Sequence, residues 1–226
     1  MMIDHQFSNT PMRAILIHGM GHTPISMLIL ARRLRAAGIQ PHLFAYSATL
    51  ERWQPCVERL RRFIAARAEA AQYIVIGHSL GCVLTRAVLP QLARAPEACF
   101  FLAPPMKAST YAKRVAQWRL FRMLTGEMGQ LLAQQDFMDA LPLPSVPVRI
   151  YAGTSGPRGR WLPLGDELND GILSLTETQL ASLPVVMVPT IHTFIMNSRQ
   201  VTDDIVAAVR TMRGTEPDLH LDGSKK

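Results

Sequence analysis

The feature that most constrains the fold is an apolar run that meets a glycine-flanked serine and then a helix. Residues 73–76 (Tyr-Ile-Val-Ile) lack the apolar–polar alternation of a half-exposed strand, which is typical of a strand covered on both faces. Residues 77–81 (Gly-His-Ser-Leu-Gly) follow directly and fit G-x-S-x-G, and a helical pattern continues to about Arg94. A strand that passes through such a turn into a helix is typical of the α/β class.

The same alternation of short apolar runs and longer amphipathic segments extends over most of the chain. Six strands are predicted, at residues 14–17, 42–46, 73–76, 99–102, 148–152 and 185–188. Segments with one apolar face lie between them, and a final helix is expected over about 202–212. We therefore predict an α/β fold of about six mostly parallel strands with helices on both faces.

One interval, residues 103–147, is longer than a simple crossover between two strands needs. It is rich in methionine and aromatic residues, including Trp118 and Phe121, and it predicts a helical insertion of two or three helices. Two interpretations stay open: an ordinary crossover with an extra helix, or a cap over a binding cleft. The predicted organisation is a single domain over residues 1–213, followed by a flexible tail over 214–226.

Composition restricts the class of protein and its compartment. Of the 226 residues, 48% are hydrophobic and 18% are charged, which excludes disorder for most of the chain. Cys56, Cys82 and Cys99 are odd in number and lack C-x-x-C spacing, so neither a disulfide framework nor a cysteine zinc site is expected. Neither a signal-peptide pattern nor an apolar run of ~18 residues is evident. We expect a cytoplasmic protein.

The charge balance is basic, with 24 Lys and Arg against 17 Asp and Glu, a formal net charge of +7. Such a charge is compatible with anionic partners, but no nucleic-acid motif and no basic run with interleaved aromatic residues is present. Arginines at helical spacing favour solvated helix faces instead. We expect no nucleic-acid partner. A weak contact with an anionic membrane surface stays open, as does the oligomeric state.

Ser79 is the candidate nucleophile. The sharp turn crowds the positions two residues before and after the serine, so both must be small, as Gly77 and Gly81 are. The helix that begins behind Ser79 directs backbone N–H groups and a partial positive charge towards the site. The alternative is a serine that only caps the helix between two glycines.

A serine hydroxyl needs a base to take its proton, and His192 is the candidate. Among the seven histidines, His192 follows the last predicted strand, at the edge where sites in parallel sheets form. A loop at that edge can hold an imidazole over Ser79. His78 adjoins the serine and is expected to point away from it.

The imidazole in turn needs a carboxylate that fixes its tautomer. The segment 153–171, after the fifth predicted strand, offers Asp166, Glu167 and Asp170. We prefer Asp170, since it stands between an asparagine and a glycine in a tight-turn sequence that leads into apolar residues. For each acid the alternative is a solvated loop charge or an Asx-turn, and this applies most to Asp166.

The turn after the first strand is the candidate oxyanion turn, formed by His18, Gly19, Met20 and Gly21. Its glycines allow the backbone to approach a developing negative oxygen. We expect the N–H groups of Met20 and Leu80 to be the donors. His18 itself is expected to be a structural hydrogen-bonding residue.

These motifs in this order resemble the α/β-hydrolase superfamily, and within it compact bacterial lipases and PGAP1-like esterases. The resemblance implies a minimal α/β-hydrolase fold and a triad of Ser79, His192 and Asp170. It also matches the family's use of the residues after H-G and after the nucleophile, here Met20 and Leu80, as oxyanion donors. Many family members have a second glycine where this chain has Cys82. No calcium motif is evident, so we expect no metal and no cofactor.

The function predicted from these residues is a serine hydrolase that cleaves carboxylic esters through an acyl-enzyme intermediate. Its substrate would be a small-molecule ester or a lipid. Two alternatives stay open. One is an acyl thioesterase, which uses the same chemistry, and the other is a catalytically idle protein that binds a lipid or partner on the same fold.

Overall fold

The computed structural model describes residues 10–69, 71–110, 119–180 and 183–214, with the backbone alone for 119–124. Within these residues, six strands form one sheet in the order β2-β1-β3-β4-β5-β6, and every neighbouring pair is parallel. The strands are β1 (Arg13–Ile17), β2 (Gln40–Phe44), β3 (Tyr73–His78), β4 (Ala98–Leu102), β5 (Val148–Gly153) and β6 (Val185–Val188). The prediction of six parallel strands is confirmed.

Helices follow the strands along the chain. The α-helices in the described ranges are α1 (Leu28–Ala36), α2 (Trp53–Ala68), α3 (Leu80–Val88), α4 (Arg119–Leu131), α5 (Gln135–Ala140), α6 (Leu175–Thr178) and α7 (Arg199–Met212). In the same ranges, 3-10 helices cover Pro24–Met27, Leu89–Gln91 and His192–Asn197. Among all of these, no helix is long and apolar enough to cross a membrane.

Two hydrophobic clusters cover the two faces of the sheet. Alternate residues of β1 divide between them: Ile15 and Ile17 pack with α2 and α3, whereas Ala14 and Leu16 pack with α1 and α7. Because both faces are covered, the residues of β3 and β4 are buried throughout. The prediction of helices on both faces is therefore confirmed.

Two predicted boundaries differ from those observed. The third helix was expected to reach about Arg94, but α3 ends at Val88 and a short 3-10 helix carries the chain past Pro90. A proline lacks the N–H that an α-helix needs and clashes with the carbonyl four residues before it. The second strand lies two residues earlier than predicted and ends at Phe44. Tyr46 lies beyond its end, and the Tyr46 hydroxyl donates a hydrogen bond to the carbonyl of His18.

The long interval between β4 and β5 contains α4 and α5 in its described part. Gly126 interrupts α4 with φ +57°, and a Cβ there would lie 2.6 Å from the carbonyl oxygen of Thr49. Close contact with the segment after β2 therefore requires glycine at this point. Trp118 lies outside the described residues, as does the tail from residue 215 onwards.

All three cysteines are buried and unpaired. Burial raises the pKa of each thiol, in the case of Cys56 to about 12. Cys82, which stands where many family members have glycine, donates a hydrogen bond to the carbonyl of Gly77. Its side chain therefore packs beneath the turn that carries Ser79.

Candidate active site

Ser79 lies on a strained turn between the end of β3 and the start of α3. Its φ of 50° and ψ of −115° are a conformation that costs a residue with a side chain about 1–3 kcal/mol. A Cβ at Gly77 would lie 2.8 Å from the backbone nitrogen of Cys82, and one at Gly81 would lie 2.3 Å from the carbonyl oxygen of Ile17. Ser79 precedes α3, but its side chain makes no capping hydrogen bond. The hydroxyl is thus not used as a helix cap.

His192 and Asp170 meet in a buried contact at the carboxyl edge of the sheet. Nδ1 of His192 lies 2.7 Å from Oδ2 of Asp170, and the backbone N–H of His192 donates to the Asp170 carbonyl at 2.9 Å. His192 is 7% exposed and Asp170 is 2% exposed. The contact leaves Nε2 as the remaining ring nitrogen of His192.

The turn that carries Asp170 fixes the orientation of its carboxylate. Oδ1 accepts hydrogen bonds from the backbone N–H groups of Ile172 and Leu173, at 2.9 and 2.7 Å. The turn passes through Gly171 with φ +96°, a value that favours glycine. Because Oδ1 is occupied by the backbone, Oδ2 faces His192.

The other two candidate acids lie elsewhere. Asp166 and Glu167 are exposed, and Glu167 accepts a hydrogen bond from the backbone N–H of Thr176. The structure therefore brings Asp170 to His192, and neither Asp166 nor Glu167.

Ser79 and His192 line the same cavity, whose volume is about 270 Å³. The turn that carries Asp170 contributes Ile172 and Leu173 to the cavity wall. The interval after β4 contributes five more lining residues, namely Pro105, Ser109, Thr125, Gly129 and Leu132. These five were not predicted individually, although the unusual length of the interval indicated a wall of this kind.

The candidate oxyanion turn packs directly on Ser79. A Cβ at Gly19 would lie 3.1 Å from the Ser79 Cβ and 2.6 Å from Nδ1 of His78. Met20 lines the cavity, and its backbone N–H has no hydrogen-bond partner among the described residues. Leu80 is the first residue of α3, so its N–H has no partner within the helix.

His18 supports this turn from behind. Its ring stacks on Tyr46 with the centroids 4.3 Å apart, and its Nδ1 lies 2.9 Å from the carbonyl oxygen of Gly19. Burial lowers the pKa of His18, which favours a neutral ring. The His18 ring therefore packs between Tyr46 and the backbone of the turn.

His78 has a contact that the sequence did not indicate. Its fully buried ring donates from Nε2 to the backbone carbonyl of His192, at 3.1 Å. Burial holds the pKa of His78 well below that of a free histidine, so the ring is neutral. The His78 ring centroid also lies 5.3 Å from that of His22, which lines the cavity. This buried imidazole therefore contacts the loops that follow β1 and β6.

Glu177 is a second group that sequence reasoning missed. This buried carboxylate accepts a hydrogen bond from the N–H of Ser174, in a capping box, and another from the N–H of Thr110. Glu177 thereby joins the segment that carries Asp170 to the cavity wall that follows β4. The Ser-Leu-Thr-Glu sequence at 174–177 fits the capping-box pattern and could have indicated the first of these bonds.

No cluster of three or more His, Cys, Asp or Glu side chains could hold a metal ion within the described residues. The strained Ser79 and the His192–Asp170 pair lie beside one largely apolar cavity. Its groups suit acyl transfer, for which a nucleophile, a base and an orienting acid are the usual requirements.

The chain belongs to the alpha/beta hydrolase family, whose sequence profile matches residues 14–221. The resemblance noted from the motifs is therefore confirmed, and so is the fold that it implied. No curated protein matches the sequence significantly.

Several solved structures share the fold. The mature lipase BlEst2 of Bacillus licheniformis has a TM-score of 0.66 at 14% identity, over 92% of this chain and 94% of the lipase. The metagenomic carboxyl esterase MGS0156 has a TM-score of 0.69 at 16% identity, over 92% of this chain and 77% of the esterase. The RedJ thioesterase of Streptomyces coelicolor has a TM-score of 0.56 at 14% identity, over 90% of this chain and 86% of the thioesterase. At these identities the likeness concerns the fold.

Proposed function

We propose that the protein is a serine hydrolase that cleaves carboxylic esters of small molecules or lipids through an acyl-enzyme intermediate. The observation that carries the proposal is the buried 2.7 Å contact between His192 Nδ1 and Asp170 Oδ2 beside the cavity that Ser79 lines. An acid on Nδ1 fixes the tautomer in which Nε2 can accept a proton. A protein that only binds a ligand has no need of this pair together with a strained serine.

The reaction proceeds in two acyl transfers. Nε2 of His192 takes the hydroxyl proton as Oγ of Ser79 attacks the ester carbonyl carbon. The tetrahedral intermediate collapses, the bond to the alcohol oxygen breaks, and His192 gives its proton to the leaving alcohol. Water then attacks the acyl-enzyme with the same base, which releases the acid and restores Ser79. The Asp170 carboxylate stabilises the charged imidazole.

The backbone N–H groups of Met20 and Leu80 are the proposed oxyanion donors. Both assignments follow from the positions of these residues, directly after His18-Gly19 and directly after Ser79. Met20 also lines the cavity, and its N–H is unpaired among the described residues. The N-terminus of α3 adds a partial positive charge at the same place. The wall from the interval 103–147 is proposed to hold the acyl chain, in line with the cap interpretation.

A thioesterase is the second candidate, because thioesters react by the same steps and the RedJ thioesterase shares this fold. The decisive experiment has two parts. A fluorophosphonate probe is expected to label the wild-type chain and Ser109→Ala, a matched change in the same cavity, but not Ser79→Ala. Turnover of p-nitrophenyl esters and of acyl-CoA thioesters, compared chain length by chain length, then ranks the two substrate classes. Labelling that persists in Ser79→Ala contradicts the proposal.

A further inference from the structure

Exposed apolar side chains gather at the edge of the sheet where the cavity lies. Eleven large apolar side chains are exposed among the described residues, and seven of them lie in the segments that follow β1, β5 and β6. In a parallel sheet these segments all start from the carboxyl edge, which is also the edge of Ser79. A concentration of this kind marks an interaction surface rather than scattered exposure.

The first group lies on one outward stripe of the segment after β1. Ile25, Leu28 and Ile29 are 73%, 51% and 48% exposed, at the spacing that places residues on one helix face. The 3-10 helix that contains Ile25 contacts the 3-10 helix of Phe194, which is 55% exposed. His22 and His192, two to three residues away in sequence, line the cavity. The stripe therefore borders the cavity.

The second group lies at the tip of the loop after β5. Trp161 is 93% exposed, in a turn closed by a hydrogen bond from the Gly159 N–H to the Gly165 carbonyl at 2.9 Å. The loop begins beside β6, where the N–H of Ser155 donates to the carbonyl of Thr190. A fully exposed tryptophan costs free energy in water and is favoured at the boundary of a bilayer.

Exposed arginines lie near both groups in the sequence. Arg32 and Arg35 are exposed on α1, three and six residues beyond Ile29, and the exposed Arg158 and Arg160 closely precede Trp161. None of the four forms an ion pair with another residue in the part of the chain that is described. At a rise of 1.5 Å per residue, the α1 arginines stand ~4.5 and ~9 Å along the helix from Ile29, within the depth of a lipid headgroup layer.

We propose that this edge of the sheet binds the surface of an anionic phospholipid bilayer. Ile25, Phe194 and Trp161 insert at the acyl boundary, and the arginines lie at the level of the phosphates. Helix α1 carries no acid, which suits anionic headgroups, whereas Asp166 and Glu167 offset part of the charge of the Trp161 loop. An acidic protein would be attracted by the same arginines, but it would not account for exposed apolar side chains on all three segments. The proposal extends the hydrolase function and can be tested without it.

The experiment is cosedimentation of the full chain with vesicles of phosphatidylcholine alone or with about 30% phosphatidylglycerol, in about 0.1 M salt. Ser79→Ala serves as the reference, because it binds without any hydrolysis of lipid. We expect binding to the anionic vesicles that weakens as salt rises. Combined Ile25→Ser, Trp161→Ser and Phe194→Ser should weaken it at least about tenfold, and Arg32→Glu with Arg35→Glu by a similar factor.

Matched controls sit on other surfaces. Leu143→Ser and Met212→Ser remove exposed apolar side chains away from this edge, and Arg62→Glu reverses an exposed charge on α2. These three variants should bind the anionic vesicles within about twofold of the Ser79→Ala reference. Three results overturn the proposal: no binding to anionic vesicles, equal loss in the controls, or full binding by the apolar triple variant. The last would indicate an electrostatic partner such as an acidic protein. Because Ser79→Ala is the reference, a failure of the proposed hydrolysis leaves the result unaffected.

Discussion

His192 and Asp170 are joined twice, once through the side chains at 2.7 Å and once through the backbone at 2.9 Å. The backbone bond holds the two loops in register, while the side-chain bond orients the imidazole. Since Asp170 also receives two backbone N–H groups on Oδ1, its carboxylate cannot rotate without breaking local bonds. The orientation of the His192 imidazole is therefore determined by the turn that carries Asp170.

The first prediction compares Asp170→Asn with Asp166→Asn, four residues apart in one segment. Loss of the orienting acid of a triad costs up to ~10⁴ in kcat, whereas loss of a solvated loop charge costs little. We expect a loss of that order for Asp170→Asn and less than about tenfold for Asp166→Asn. Steady-state ester hydrolysis measures both, with circular dichroism to check folding. The opposite ranking would assign the acid to Asp166.

The second prediction concerns the pH dependence of the reaction. A protonated imidazole cannot accept the serine proton, so kcat/KM is expected to fall as the pH is lowered below neutrality. The measurement is a pH–rate profile with a substrate that does not titrate, at constant ionic strength. A flat profile from neutral to mildly acid pH would argue against a histidine base.

The third prediction follows from the backbone of Ser79. Alanine keeps the Cβ that makes φ 50° costly, whereas glycine removes it. Both variants should lack activity, but Ser79→Gly should unfold with a free energy about 1 kcal/mol higher than Ser79→Ala. Urea denaturation gives the difference. Equal stabilities would mean that the turn carries no strain.

The fourth prediction uses the low pKa of His78, which burial causes. An unfolded histidine takes up a proton near pH 6.5, but folded His78 does so only at much lower pH. The unfolded state therefore binds more protons below pH 6.5, and stability that is present above that pH is lost as the pH falls. Each such histidine lowers the free energy of unfolding by up to about 1.4 kcal/mol for each pH unit below 6.5.

Urea titrations at several pH values from about 7.5 to 5 test this dependence. The free energy of unfolding should fall less steeply with falling pH in His78→Gln than in the wild type. The difference in slope should correspond to the uptake of about one proton on unfolding. The remaining slope is expected to include His18 and His22, whose pKa values are also lowered by burial. An unchanged slope in His78→Gln would mean that His78 takes up its proton at the same pH in the folded and unfolded chain, which would contradict the prediction.

The fifth prediction concerns acyl-chain length. Leu132 lines the cavity, whereas Leu141 is equally buried in the same interval but is not part of the lining. Leu132→Ala should shift the preferred ester towards longer chains, while Leu141→Ala should cost about 2–5 kcal/mol of stability without that shift. A panel of p-nitrophenyl esters measures the preference. An equal, uniform loss in both variants would indicate packing alone.

Much of the fold follows from local patterns. Residues 73–76 of β3 are all apolar, and helices cover both faces of that strand. A Cβ at Gly77 or Gly81 would lie only 2.8 or 2.3 Å from backbone atoms, so both positions require glycine. The Asn-Asp-Gly sequence around Asp170 predicts a tight turn with a fixed carboxylate, and the carboxylate accepts two backbone N–H groups of that turn. Signals of this kind are contained in a few consecutive residues, so a single sequence displays them.

Contacts across long separations were not predictable in the same way. His78 and His192 are 114 residues apart, and Glu177 reaches Thr110 across 67. Which buried polar atoms meet depends on how the loops pack once the sheet has formed. The cavity wall is a similar case, since Leu132 faces the cavity and Leu141 does not, although both are apolar residues in one interval.

The burial of Cys56, Cys82 and Cys99 gives the chain an internal reporter of its own unfolding. A thiol is alkylated as the thiolate, and all three are both shielded and held protonated in the folded chain. Iodoacetamide should therefore modify the chain only as rapidly as each region opens. Cys56 on α2 would record the opening of one helical layer, and Cys99 on β4 the opening of the central sheet. Counting modified thiols by mass would follow the loss of structure region by region, with no added label.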